Sequence, residues 1–306
     1  MLANISDSQF TAILAGLTDQ KPMSCKATLC SGGDTHSSYR LKITSDHHDD
    51  QLLFAKVNEL GRHKVLQSEY HSLNTLNDQY GLNYPQTKLI DHDDEHSFLI
   101  LSYQDLRSMS EAGQNSEFGH QLAELVYAQH QITSDTFGWP ASNYIGSNKQ
   151  LNQSDSNWIQ FYATNRLLPQ LESAQKNGLS PGLVTQVSNL IMDLSSYFVD
   201  YAPPPSLLHG DLWSGNVGID GSTNKPMIFD PAPYFGDRES DIAFTELFGG
   251  FPQGFYDRYK ELSPLQENYE LRRPLYNLYH ALNHFNLFGS VYLSMVEQQL
   301  DEIIGV

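Results

Sequence analysis

The chain has 306 residues, 40% of them apolar, enough for one large or two modest domains with real cores. Its 36 acidic residues outnumber the 18 basic ones, and the net charge of −18 argues against nucleic acid or an anionic membrane as the main partner. There is no apolar run long enough for a membrane span and no signal-peptide start, while two cysteines, Cys25 and Cys30, suit a reducing cytoplasm and form no zinc pattern.

The first predicted element is a helix over residues 5–17, with Ser6 at N-cap, Gln9 at N3, and Ile5 and Phe10 placed for a hydrophobic staple. Residues 23–30 then lead through the glycine turn 31–38 into an alternating strand, 39–44. A strand–glycine turn–strand is the form of a phosphate-covering kinase loop, and also of an ordinary hairpin; Gly32 and Gly33 are the residues in question. The ending of a Walker loop is absent. The histidines of the polar turn 46–50 read as solvated. The strand 52–57 carries one lysine, Lys56, in an apolar run, a costly position unless the charge is paired. Its frame resembles the phosphate-binding lysine strand of kinases. Glu69 is the one acid between Arg62 and Asn77 on the following amphipathic helix, so it is the expected partner. Two strands around the acidic turn 91–95 lead to Ser102, Tyr103 and Gln104, where a hinge would offer backbone groups to adenine.

Beyond the hinge the pattern is helical. Phe118, Leu122, Leu125 and Val126 recur at helical spacing, a glycine- and aromatic-rich loop covers 137–145, and Trp158, Phe161, Tyr162 and Leu168 line a further helix. The apolar periodicity from 183 to 198 predicts one long helix, ended by Pro203, Pro204 and Pro205. The next stretch, LLHGDLWSGN at 207–216 closed by IFD at 228–230, reads as a short strand, a catalytic turn and a hairpin. Phosphoryl transfer to a hydroxyl needs one carboxylate to take the proton, and an amide oxygen with a second carboxylate to hold Mg²⁺. Asp211, Asn216 and Asp230 supply those groups, and the step of five from Asp211 to Asn216 is that of the kinase catalytic loop. Asp241 is a plausible helix N-cap that also braces the turn, and Asp237 with Arg238 reads as a simple salt bridge. On the helix 276–292, His280, Asn283, His284 and Phe288 form a stripe that suits an acceptor pocket or a satisfied core equally. Trp213 is open in the same way, as a flat face for a sugar or as packing.

The catalytic stretch, with FDPA at 229–232, YFGDRE at 234–239, TELFGGF at 245–251 and the FGW…NYIG loop, resembles the fructosamine kinase (ketosamine-3-kinase) family over nearly the whole chain. The wider aminoglycoside-phosphotransferase group is similar only in the Asp, Asn and Asp skeleton. The resemblance implies an α+β, two-lobed protein-kinase-like fold: a nucleotide-binding sheet lobe to residue 101, a hinge at 102–105, and a helical lobe from 106 to 306. It implies that MgATP phosphorylates the 3-hydroxyl of a ketoamine, free or protein-bound, with Asp211 as base, Asn216 and Asp230 on the metal, and Lys56 and Glu69 at the phosphates. A cytoplasmic monomer is expected. Family members often carry a cysteine where Asp34 stands, so a thiol switch is not expected. The rivals are a kinase of the same fold acting on another small alcohol, and a silent binding module. The second normally lacks one of the catalytic residues, and none is missing here.

Overall fold

Ser6 opens the first helix, α1 (Asp7–Leu14), with a full capping box: the Gln9 N–H donates to Ser6 Oγ at 3.3 Å and the Ser6 N–H donates to Gln9 Oε1 at 3.1 Å. Ile5 and Phe10, the expected staple, are both buried. The computed structural model describes residues 5–15, 17, 24–30, 36–44, 50–113 and 115–305. Gly32, Gly33 and most of the polar turn at 46–50 lie outside the described residues. The chain divides into two units, Met1–Leu106 with Asp220–Thr223, and Arg107–Ile219 with Asn224–Val306.

The first unit is built on an antiparallel sheet of β1 (Ser24–Leu29), β2 (Ser37–Thr44), β3 (Gln51–Glu59), β4 (Thr87–His92) and β5 (His96–Ser102), in the order β1-β2-β3-β5-β4. Because successive side chains on a strand point to opposite faces, Leu53, Ala55 and Val57 face the α1 side, in one cluster with Phe10, Leu14, Leu41, Phe98 and Ile100. Each fully buried Leu, Val or Phe there contributes about 1.5–3 kcal/mol. Lys56 belongs to the opposite face, which helix α2 (His63–Asn74) covers with Leu66 and Leu73. Helix α2 runs on into a π-helical turn, Thr75–Gln79, that buries Leu76.

The chain continues through β6 (Leu106–Ser108) into the second unit, where Asn115 caps α3 (Ser116–His130). A hairpin of β7 (Asn143–Ile145) and β8 (Asn148–Gln150) follows, then α4 (Trp158–Tyr162), a π turn Ala163–Leu167, α5 (Leu168–Lys176) and α6 (Pro181–Met192). The long helix expected over 183–198 is in fact two pieces. Helix α6 ends before Asp193, and Leu194–Phe198 is a 3-10 helix in which the Ser196 N–H and hydroxyl both donate to the Asp193 carbonyl. The apolar face survives the break, since Val187, Leu190, Leu194 and Phe198 are all buried. Strand β9 (Ser206–Leu208) pairs later with β12 (Tyr234–Gly236), and β10 (Val217–Asp220) forms a hairpin with β11 (Pro226–Ile228). Helices α7 (Glu239–Leu247), α8 (Gln253–Leu262), α9 (Tyr269–Phe288) and α10 (Leu293–Ile304) complete the unit. Its interior includes an aromatic cluster: Phe137, Trp158, Phe161, Tyr162, Tyr234 and Tyr276 are all buried. Among the described residues no helix is long and apolar enough to cross a membrane, and Cys25 and Cys30 are free thiols.

Candidate active site

The catalytic turn starts where β9 runs out. Gly210 has φ 79°, and a Cβ there would run into the Ala232 carbonyl, so only glycine fits. The N–H groups of His209 and Gly210 both donate to the Asp241 carboxylate, at 2.7 and 2.9 Å. Asp241 is thus the brace for the turn. It is not the helix N-cap: it is the third residue of α7, whose cap position is Arg238, and it is Asp237 Oδ1 that accepts the Glu239 N–H at 3.0 Å. Placed in the first helical turn, the Asp241 charge also meets the positive end of the helix dipole.

The expected bridge between Asp237 and Arg238 does not form. Asp237, fully buried, accepts hydrogen bonds from the hydroxyls of Tyr201 and Tyr276. Arg238 instead donates to the Tyr259 hydroxyl and to the carbonyls of Ser263 and Pro264. Adjacent residues on a helix-entry turn point apart, and each finds a separate partner. Burial, with the Glu239 charge adding to it, pushes the Asp237 carboxyl up to about 6.

His209 fastens the turn to the chain beside Asp230. Its Nε2–H donates to the Phe229 carbonyl at 3.0 Å, and its Nδ1 accepts the Asp211 N–H at 3.2 Å. That pattern requires the neutral Nε2–H tautomer, and burial lowers the pKa of the imidazole, which favours it. Asn216 Nδ2 donates to the Asp211 carbonyl at 2.8 Å and to Asp211 Oδ2 at 2.9 Å. The Phe229 N–H donates to the Asn216 carbonyl at 3.0 Å, which brings Asn216 alongside Asp230 at the end of the hairpin. Asp230 itself has φ 55°, the left-handed region. Burial pushes the Asp211 carboxyl up to about 7; the Asn216 hydrogen bond opposes this, and the charges of Asp230 and Asp241 add to it. A carboxylate poised near neutrality suits a general base.

In the first unit, Lys56 Nζ and Glu69 Oε1 form the expected ion pair at 2.6 Å, with the lysine side chain 3% exposed. Of the residues expected at a hinge, the Ser102 N–H donates to the Gln86 carbonyl at 2.8 Å, and the Gln104 carbonyl accepts the Leu106 N–H at 3.0 Å.

With this geometry in place, the comparisons with known proteins are decisive. The family model for fructosamine kinase matches residues 7–305. The chain belongs to the fructosamine kinase family. A probable ketoamine kinase of Vibrio parahaemolyticus is 37% identical over 276 residues, covering 90% of this chain and 91% of the relative. The chloroplastic protein-ribulosamine 3-kinase of Arabidopsis thaliana is 39% identical over 208 residues, 68% of this chain and 62% of that one. A crystal structure of a candidate fructosamine-3-kinase from Haemophilus somnus superposes with TM-score 0.83 at 28% identity, covering 96% of both chains. An aminoglycoside phosphotransferase crystallised with AMP-PNP and hygromycin B superposes with TM-score 0.62 at 15% identity, over 98% of this chain and 100% of that one, which shows the shared protein-kinase-like fold.

In this family member the stripe on α9 splits. Asn283 is buried, and its Oδ1 accepts from Asn148 Nδ2 at 2.8 Å and from Gln170 Nε2 at 3.1 Å, so its amide oxygen is committed to the core. His280 is buried flat against Phe244, ring centroids 3.5 Å apart. His284 is only half-buried and packs on Phe248 at 4.9 Å, and Phe248 in turn meets Trp213 at 5.7 Å. Trp213 is half-buried, with its ring lying over Gly215, where a Cβ would collide with it. No spacing or motif pointed to His130. It lies in the last turn of α3, 111 residues from Asp241, yet its Nε2 donates to Asp241 Oδ2 at 3.1 Å and its Nδ1 meets the Tyr259 hydroxyl at 2.7 Å. Only tertiary packing creates that link.

Proposed function

We propose that this chain is an ATP-dependent kinase of ketosamines, transferring the γ-phosphoryl group to the 3-hydroxyl of a sugar carried on an amine. The observation that supports this most directly is the Asn216 hydrogen bond to Asp211, with the Phe229 backbone bond that brings Asp230 beside Asn216, in a chain that matches the fructosamine kinase model from residue 7 to 305. Relatives named ketoamine kinase and protein-ribulosamine 3-kinase support the acceptor class.

The residues fit Mg²⁺. Asn216 Nδ2 is committed to Asp211, which leaves the amide oxygen, and with the Asp230 carboxylate it makes an all-oxygen set of the kind Mg²⁺ takes alongside phosphates. When bound there, the ion neutralises charge on the phosphates. Asp211 orients the acceptor hydroxyl and takes its proton as the oxygen attacks the γ-phosphorus; the bond from that phosphorus to the bridging oxygen breaks and ADP leaves. Asn216, donating to Asp211 Oδ2, holds the base in place. Lys56, kept in position by Glu69, binds the α- and β-phosphates. Trp213 offers its face to the sugar, with His284 further along the same row of rings.

A phosphate next to the ketone is a good leaving group once the sugar enolises toward the amine-bearing carbon, so the product decays to the free amine. The activity is therefore deglycating repair, on small or protein-bound ketoamines, by a cytoplasmic monomer. The test is to incubate ribulose- and fructose-lysine with MgATP and locate the phosphate by phosphorus–proton NMR. Phosphate on the carbon next to the ketone, followed by free lysine, is expected. Phosphate on the terminal hydroxyl, or preference for an aminoglycoside over every ketoamine, would remove this reading.

A further inference from the structure

In the hairpin of β7 and β8, the side chains of Asn143 and Gln150 are buried and aimed at the chain just beyond Asp230. That chain reads Pro231-Ala232-Pro233. Proline has no N–H, so across these three residues the backbone offers one donor and three carbonyls. The one donor, Ala232 N–H, goes to the His209 carbonyl at 2.9 Å. Two of the carbonyls are held from the hairpin side: Gln150 Nε2 donates to Ala232 at 3.0 Å and Asn143 Nδ2 donates to Pro233 at 2.8 Å.

The directions of these bonds are fixed by a buried cation. Arg166, on the π turn after α4, is fully buried against the ring of Tyr234, 3.8 Å from its centroid. A guanidinium can only donate, so Asn152 must turn its oxygen to Arg166, at 2.8 Å. Asn152 Nδ2 then donates to Asn143 Oδ1 at 2.8 Å, which sends the Asn143 nitrogen to Pro233. Gln150 is set from its other end. The Tyr279 hydroxyl donates to Gln150 Oε1 at 2.8 Å, and the Gln150 nitrogen is left for Asn143 Oδ1 and the Ala232 carbonyl. Every amide in the relay therefore has one permitted orientation.

Asp230 is a non-glycine residue in the left-handed region, a conformation that persists only where the flanking chain is over-determined. Upstream it is held by the Phe229 bonds to Asn216 and His209, and downstream by the hairpin. We propose that Asn143 and Gln150 are positioning residues for Asp230, holding the carbonyls beyond it so that its carboxylate is set for the metal. The proposal rests on Asp230 being a metal ligand, as argued above.

The experiment measures the Mg²⁺ concentration that half-saturates binding of a fluorescent, non-hydrolysable ATP analogue, together with the affinity of the analogue in the absence of metal. Gln150→Met keeps the length and apolar bulk of the side chain but donates nothing. It is expected to raise the Mg²⁺ half-saturation about tenfold, the effect of losing one buried hydrogen bond, with the metal-free affinity unchanged. Tyr279→Phe removes only the hydroxyl that orients the Gln150 amide, and should shift the same quantity about threefold in the same direction. A folded Gln150→Met with half-saturation within twofold of the native protein overturns the proposal, as does an equal loss with and without metal. Should Gln150→Met fail to fold, Tyr279→Phe decides alone, and an unchanged half-saturation there overturns it. Asp230→Ala is run in parallel. If it leaves the metal dependence intact, the ligand assignment itself fails and the positioning role goes with it; if it removes the dependence while Gln150→Met does nothing, only the positioning role fails.

Discussion

Asp211→Asn should give an enzyme that is slower and also more stable, and the stability gain should depend on pH in a defined way. Burial holds the Asp211 carboxyl at about 7, against 3.8 for the free group. Between those values the native state keeps a proton that the unfolded chain has released, so stability falls as pH rises from 3.8 toward 7. Above 7 the fold carries the full cost of an ionised Asp211, buried and facing the charges of Asp230 and Asp241, about 4 kcal/mol. Asparagine has the same shape, can still accept the Asn216 hydrogen bond and carries no charge. The variant should therefore exceed the native protein by about 4 kcal/mol at pH 8 and by about 2 kcal/mol at pH 5, read from urea denaturation at each pH. Turnover should drop by about 10²–10⁴-fold, because the amide cannot take the proton. For the same reason kcat/KM of the native enzyme should rise with pH through about 7. A variant with the same stability offset at both pH values would refute the burial argument, and turnover within threefold of the native enzyme would refute the base.

Lys56→Met should weaken binding of nucleoside triphosphate about 10–100-fold, the worth of a charge-assisted hydrogen bond, while leaving the Mg²⁺ requirement in place; calorimetric titration showing unchanged affinity would remove the lysine from the phosphate site. Gly215→Ala puts a methyl group into the ring of Trp213 and should raise KM for the ketoamine about three- to tenfold without altering KM for MgATP; equal changes in both constants would show that Trp213 does not face the sugar. Arg272→Met leaves Glu239, which is fully buried and otherwise held at 2.8 Å by the arginine, without its countercharge. Unfolding free energy should fall by about 3–5 kcal/mol, and a loss below about 1 kcal/mol in denaturant titration would contradict this.

What the sequence disclosed and what it hid divide along a physical line. The capping box at Ser6 and Gln9 and the strand that carries Lys56 are local patterns, and they appear as expected. The Lys56–Glu69 pair spans 13 residues but was legible because a lone lysine in an apolar strand demands an acid, and the next helix offered one. Asp241 was half legible. Its position near a helix start was plain, but whether its carboxylate caps its own helix or reaches the turn 31 residues earlier depends on packing that no spacing encodes. The bridge between Asp237 and Arg238 failed for a related reason: sequence adjacency is not side-chain adjacency. Asn283 gave a helical-period signal common to pockets and cores, and only its bonds to Asn148 and Gln170 assign it to the core. The relay from Arg166 to Gln150 left no mark, because buried amides look like surface ones until their partners are known.

The single imidazole of His209 decides how the site behaves when the surroundings turn acid. Its hold on the Asp211 N–H depends on a bare Nδ1, and a proton there would set two donors against each other. Burial keeps that proton away to below the ordinary histidine value, while Asp211 takes up its own at about 7. The two events are therefore ordered. As pH falls, Asp211 is protonated first and the clasp is still closed. On the role proposed for Asp211, turnover is lost before the His209 clasp opens. The clasp outlasts the activity it serves.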